Sequence, residues 1–231
     1  MKYINLELRK YSYKPYIMAN IGIFIATFLL TALLVAVQYM EAPSAEETLS
    51  SGLILTVIIT IETVSYICLT AVMYSKFVLE SYNYDNVFLT LAYPVNRGKI
   101  FFSKLILVNL SSIIGFLIST ILIIVLFTLF NNTFNVMMDK LSVEILLSKT
   151  PMIILSIIFI ISGGIISLLI GWLKKSTALL IVTSVIIGSI VSNLLGTESI
   201  NLLFVFALII LICGLISTIS MYNKIKSLEV E

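Results

Sequence analysis

Apolar residues run almost unbroken through six stretches, near 16–37, 52–73, 105–130, 151–172, 176–196 and 201–221, while charged residues gather in the connections between them. Each stretch is 21 to 26 residues long. At about 1.5 Å of rise per residue, such a helix covers a hydrocarbon core of about 30 Å with some tilt. The pattern predicts an all-α integral membrane protein with a single transmembrane domain over residues 1–231, and the even number of spans puts both termini on the same side.

The flanking segments have their own periodicity. In the first fourteen residues, Ile4, Leu8 and Tyr11 form one helical stripe and Lys2, Arg9, Lys10 and Lys14 lie off it, which predicts an amphipathic helix in the membrane interface over 1–14. The alternative is a positive tail that only sets orientation. Pro15 suits the first turn of the next helix, and the apolar run after it is too long for a cleavable leader. Between the third and fourth spans, Phe134, Met137, Met138, Leu141 and Ile145 recur at helical spacing and Lys140 with Glu144 forms an i,i+4 pair. That spacing predicts an amphipathic outer helix within 131–150, either a gate for exported cargo or a plain loop helix. Small residues recur every fourth position at Gly163, Ser167 and Gly171, and again at Ser184, Gly188, Ser192 and Gly196. Such stripes let helix backbones approach closely, within one subunit or across a dimer.

Composition narrows the chemistry. The 231 residues are 60% hydrophobic and only 11% charged, against about 25% charged in a soluble domain. A net charge of +2 is too small to point to nucleic acid as a partner. Twelve of the fourteen basic residues fall at the amino end, in the 74–104 connection, at Lys174-Lys175 and at the carboxyl end, whereas Glu41, Glu46, Glu47, Asp139, Glu144 and Glu198 lie in the opposite connections. The positive-inside rule then makes both termini cytoplasmic, with Trp172 at interface depth. The absence of histidine removes Ser–His and zinc–His proteases, His-ligated haem carriers and His proton relays. Cys68 and Cys213 sit in apolar runs and read as small buried hydrophobes, so no metal site is expected. The Gly98-Lys99 pair has Tyr93 and Ile100 where a nucleotide-binding loop needs Gly and Ser or Thr.

Glu62, near the middle of the second span, is the one acid deep inside an apolar run, with Thr60, Thr63, Ser65 and Thr70 as sequence neighbours. A charge there costs about 2.5 to 3.5 kcal/mol on insertion scales, so the side chain must face protein or water. It reads either as a contact in a translocation path or as a hydrogen-bonded carboxyl that fixes helix packing. Without a second acid or base in the spans, paired-carboxylate catalysis and a proton relay lack partners, so the chain is not expected to be an enzyme by itself.

The 74–104 connection is the longest charged segment. Phe77, Tyr84, Phe88 and Leu91 lie on one face of a predicted helix, Asn83 or Asp85 can cap its second half, and Pro94 stops it. Arg97, Lys99 and Lys104 follow where the chain re-enters the membrane. The run Glu80 … Leu89-x-Leu91-x-Tyr93-Pro94-Val95-x-Arg97 … Lys104 resembles the first cytoplasmic loop of ABC-2-type exporter permeases, particularly small six-span subunits of bacterial antimicrobial-peptide immunity and peptide-export systems. Many such permeases carry a Gly-Thr pair near the place of Asp85-Asn86. The resemblance implies a cytoplasmic coupling helix between spans two and three that docks on a separate ATPase subunit, with Glu80, Leu89, Leu91, Pro94, Arg97 and Lys104 as the matching coupling positions, to which the aromatic face adds Tyr84 and Phe88. It further implies two ATPase copies that bind ATP and Mg, no cofactor in this chain, and pairing of the permease with itself or a similar subunit in a bacterial plasma membrane. The implied cargo is an amphipathic or antimicrobial peptide, with lipid-linked glycan or hydrophobic drugs as alternatives. From another class comes a non-transporting immunity, peptide-binding or scaffold protein; an ion-coupled secondary transporter is disfavoured by the solitary Glu62 and the lack of an internal repeat.

Overall fold

A computed structural model of the chain describes residues 13–41, 50–80, 97–134, 143–197 and 199–227. The described residues form helices α1 (Lys14–Glu41), α2 (Ser51–Tyr74), α3 (Arg97–Phe134), α4 (Val143–Lys174), α5 (Thr177–Gly196) and α6 (Ile200–Ser227), with a π-helical turn, Ser75–Leu79, continuing α2. No strand occurs among the described residues. Six helices are long and apolar enough to cross a membrane, the make-up of a multi-pass membrane protein, because a helix satisfies every backbone group internally where lipid offers no partner.

The helices overrun the apolar stretches that announced them. α2 continues past 73 through the wide turn, whose Ser75 and Val78 carbonyls accept from the Glu80 N–H, and Phe77 is buried there rather than presented on an outward aromatic face. α3 starts at Arg97, ahead of the expected 105. The outer segment also differs from the expected separate helix: 131–134 extend α3 and 143–150 extend α4, so Pro151 lies inside α4 instead of opening it. Apolarity marks where lipid begins, while helix propensity and hydrogen bonding carry the helix into the interface. Residues 1–12 of the expected interfacial helix over 1–14, the connection 81–96 and residues 135–142 lie outside the described residues, and Lys14 belongs to α1. Pro15 does fall in the first turn of α1.

α2 is the hub. It packs against α1, α3, α4 and α5, while α6 leans mainly on α4. Its span and that of α4 are each 56% buried, against 17% for α1 and 22% for α6. Glycines set the closest approaches: a Cβ at Gly164 would lie 2.6 Å from Thr70 Cγ2, one at Gly188 3.0 Å from Val64 Cγ1, and one at Gly163 3.1 Å from Ile187 Cγ2. The small-residue stripe of the fourth span thus serves contacts within the chain, with Ser167 buried and donating to the Gly163 and Gly164 carbonyls. The fifth-span stripe does so at Ser184 and Gly188 and then stops. Ser192 bonds back to the Ser189 carbonyl, and a Cβ on Gly196 would meet nothing within 4 Å.

The α4–α5 hairpin closes tightly at Lys175, which takes a left-handed φ of 49°. Lys175 N–H donates to the Trp172 carbonyl and Ser176 N–H to the Gly171 carbonyl, at 3.2 and 3.1 Å. This is a Schellman ending with lysine where glycine is usual. Gly171 makes it possible, since a Cβ there would lie 2.6 Å from Leu180 Cβ. Ser176 then caps α5 through Leu179 N–H.

One group of aromatic contacts lies at a single end of the bundle. Tyr13 and Tyr16 lie 5.6 and 5.3 Å from Phe77, Phe101 lies 6.4 Å from Trp172, and Phe102 lies 5.5 Å from Tyr222, between ring centroids. These pairs bring the starts of α1 and α3 together with the ends of α2, α4 and α6. Lys14, Lys76, Lys99, Lys174, Lys175 and Lys224 belong to the same end. Cys68 is half-buried, and Cys213 is exposed on α6 rather than buried as expected, since α6 is a peripheral helix whose outer face meets lipid.

Candidate functional site

α2 and α3 meet along a polar seam inside an otherwise apolar bundle. Glu62 is fully buried, with one carboxyl oxygen hydrogen-bonded to Ser119 Oγ and the other to Thr120 Oγ1. Two turns on, Thr70 Oγ1, which donates to the Tyr66 carbonyl, lies in hydrogen-bond contact with Ser112 Oγ at 2.9 Å; one turn further, Tyr74 Oη donates to Asn109 Oδ1 at 2.7 Å. Residues 62, 70 and 74 share one face of α2 because they are separated by multiples of four. Their partners run back along α3 in antiparallel register.

Thr120 Oγ1 also lies 2.8 Å from the Phe116 carbonyl. A hydroxyl has one proton, so the contacts to Phe116 and to Glu62 are both full hydrogen bonds only when Glu62 carries a proton and donates it to Thr120. The sequence neighbours of Glu62 take no part: Thr60, Thr63 and Ser65 each donate to the carbonyl four residues back on their own helix.

Beside this seam, α1, α2 and α3 enclose a cavity of about 430 Å³. Its polar lining includes Asn20, Tyr66, Ser111 and Ser119, and its rim carries Ile17, Ile21, Ile114, Ile118 and Leu122. The rim residues are exposed, Ile17 at 58% and Ile118 at 54%, so the cavity opens sideways between α1 and α3. Asn20 Nδ2 donates to the Tyr16 carbonyl at 2.8 Å, its buried Oδ1 accepts no hydrogen bond among the described residues, and the Tyr66 hydroxyl is fully buried in the wall. Ser119 stands next to Tyr66, and it links the cavity to Glu62. Gly115 is needed here, because a Cβ would run into the Asn20 side chain and lie 3.0 Å from the Tyr66 ring.

Glu62 therefore sits behind the cavity wall, between two helices, and does not line the opening. Of the coupling positions, Tyr84, Phe88, Leu89, Leu91 and Pro94 fall outside the described residues; Glu80 is exposed at the end of the π turn, Arg97 opens α3, and Lys104 is buried. Sequence reasoning passed over Ser119, Thr120, Asn20 and Tyr66. The signal for the first two was an adjacent hydroxyl pair in mid-span. For Asn20 it was an amide about two turns into an apolar helix. Among the described residues no cluster of acids and cysteines has the makings of a metal site.

The chain matches no protein-family model, no curated protein and no solved structure.

Proposed function

We propose that the chain is the membrane-spanning permease subunit of an ATP-driven ABC exporter, moving amphipathic or antimicrobial peptides out of the bacterial plasma membrane. The reading rests on the likeness of residues 80–104 to an exporter coupling loop. The observation that carries it further is the position of that connection: it joins α2 to α3 at the lysine-rich end, where the starts of α1 and α3 and the ends of α4 and α6 also meet. With that end cytoplasmic, a separate ATPase pair reaches the connection directly. ATP and Mg belong to those partners.

The proposed action is mechanical. Closure of the ATPase pair pushes on residues 82–91, and the polar seam makes α2 and α3 respond together, tilting α1 and α2 against α5 between two packings. The permease pairs with a second copy or a similar subunit to frame the path.

The test is affinity purification of the tagged chain from its own host, with mass spectrometry of what accompanies it. A co-purifying ATPase bearing a nucleotide-binding loop is expected, and Phe88→Asp or Leu91→Asp should abolish its recovery while leaving membrane insertion intact. Recovery of the chain alone, under conditions that preserve other membrane complexes, overturns the exporter in favour of a peptide-binding membrane protein. Undiminished ATPase recovery with both variants overturns the docking assignment.

A further inference from the structure

α5 leaves one face uncovered, and that face is not purely apolar. Leu180, Ser184, Gly188, Val191 and Leu195 turn into the bundle and are buried. On the side away from them, Ala178, Val182, Val185, Ser189 and Asn193 are all exposed. Separations of four, three, four and four place these five in one narrow strip along the helix. Their side chains are short, the composition with which helix backbones approach closely in lipid.

Asn193 decides what covers the strip. It lies one turn from the end of a 20-residue helix, whose whole length of about 30 Å is needed to cross the hydrocarbon core. Ser189 returns its single hydroxyl proton to the Ile186 carbonyl, so lipid can face it at little cost. An amide cannot be satisfied in that way. One Nδ2 hydrogen of Asn193 goes to the Ser189 carbonyl at 2.8 Å, while the second hydrogen and Oδ1 have no partner among the described residues. Asn109, by contrast, is held by Tyr74 inside the bundle. A polar group open to hydrocarbon is costly until a partner covers it.

One donor and one acceptor on the same amide are self-complementary. A second copy in the same membrane orientation, related by a two-fold axis along the membrane normal, brings its own Asn193 to the same depth, and each amide then donates to the other. An acyl chain offers neither donor nor acceptor. We infer that α5 is the face through which two copies of this chain pair, with Val182, Val185 and Ser189 against their counterparts and the two Asn193 amides bonded to each other. The contact goes beyond the exporter reading, since it needs no ATPase and holds for a permease or a scaffold alike.

The test uses the full chain in phosphatidylcholine vesicles without an ATPase, in a Cys68→Ala/Cys213→Ala background. Donor and acceptor dyes on Lys174→Cys report pairing by energy transfer as the vesicles are diluted with lipid, and oxidative cross-linking of single cysteines reports the face. Energy transfer that survives dilution is expected, with cross-links through Val182→Cys and Val185→Cys but not through Leu33→Cys on α1 or Ile212→Cys on α6. Asn193→Leu should weaken pairing about tenfold, the worth of two interhelical hydrogen bonds, with helical circular dichroism unchanged, and Asn193→Gln should restore part of the loss. Monomers at every dilution, pairing that Asn193→Leu leaves undiminished, or cross-links confined to α1 or α6 overturn the α5 contact.

Discussion

Replacing Glu62 separates a packing carboxyl from a charged one. Glu62→Ala removes the acceptor of Ser119 and the carboxyl partner of Thr120 and leaves a void in a fully buried site. Thr120 keeps the Phe116 carbonyl, so Ser119 alone is orphaned. Interhelical hydrogen bonds in membranes average about 0.6 kcal/mol and reach about 1.7, and truncating a long buried side chain to alanine costs about 2 kcal/mol or more. Together these give a loss of about 2 to 4 kcal/mol.

Glu62→Gln should behave differently. Its oxygen accepts from Ser119 and its amide donates to Thr120, reproducing the pattern of a protonated carboxyl, so the expected change is within about 0.5 kcal/mol. Glu62→Asp, one methylene shorter, cannot reach both hydroxyls and should fall between. The assay is reversible unfolding in mixed micelles, followed by helical circular dichroism, with a Glu62→Ala/Ser119→Ala cycle to isolate their coupling. If Gln proved as damaging as Ala, the proton count at Thr120 would be wrong and the carboxylate itself would hold α2 to α3. A neutral Ala variant would remove the seam from the stability of the bundle altogether.

Gly164→Ala should destabilise the bundle by about 1 to 3 kcal/mol through overpacking, because its Cβ would press on Thr70, whereas Gly196→Ala should be neutral within about 0.5 kcal/mol, its surroundings being open; comparable melting shifts for the two would refute the packing reading. Lys175→Gly should stabilise the α4–α5 hairpin by about 1 kcal/mol in the same unfolding assay, since glycine takes the left-handed φ without the side-chain clash. Phe77→Ala should cost about 3 kcal/mol or more and loosen α1, read as faster proteolysis near Tyr13, because its buried ring packs on Tyr13 and Tyr16; unchanged proteolysis and melting would return Phe77 to an outward-facing role.

The six helices were legible because lipid imposes one rule on every span, and the apolar runs record it directly. Helix ends were less so. Pro151 reads as a start signal, yet α4 begins at Val143, since an exposed proline near the interface can leave the Leu147 carbonyl to water. The hydrogen-bond partners of Glu62 were hidden for a different reason. Sequence proximity favours Thr60 and Ser65, but hydroxyls in a helix readily bond to their own backbone four residues back, and only the α2–α3 pairing brings Ser119 and Thr120 to the carboxyl. The glycine stripes were half legible. Spacing of four identifies a helix face without saying which neighbour covers it, so Gly164 was missed and Gly196 included.

These contacts also divide the bundle by how firmly its parts are joined. α2 meets α4 at Gly164 and α5 at Gly188, with α6 pressed on α4 where a Cβ at Gly214 would lie 3.1 Å from Ser162 Cβ. Close backbone packing of this kind has little room to slide, because each small shift drives side chains into backbone. α1 is joined differently, through rings at Phe77, the amide over Gly115, and Phe28 against Phe127 at 5.7 Å, with the cavity between those contacts. A tilt of α1 and α2 together against α5 must first open the Val64–Gly188 contact, while a tilt of α1 alone need only widen a space that already exists. The looser joint is therefore at the α1 face, and the tilt proposed for α1 and α2 together must draw on the ATPase pair to open the Val64–Gly188 contact.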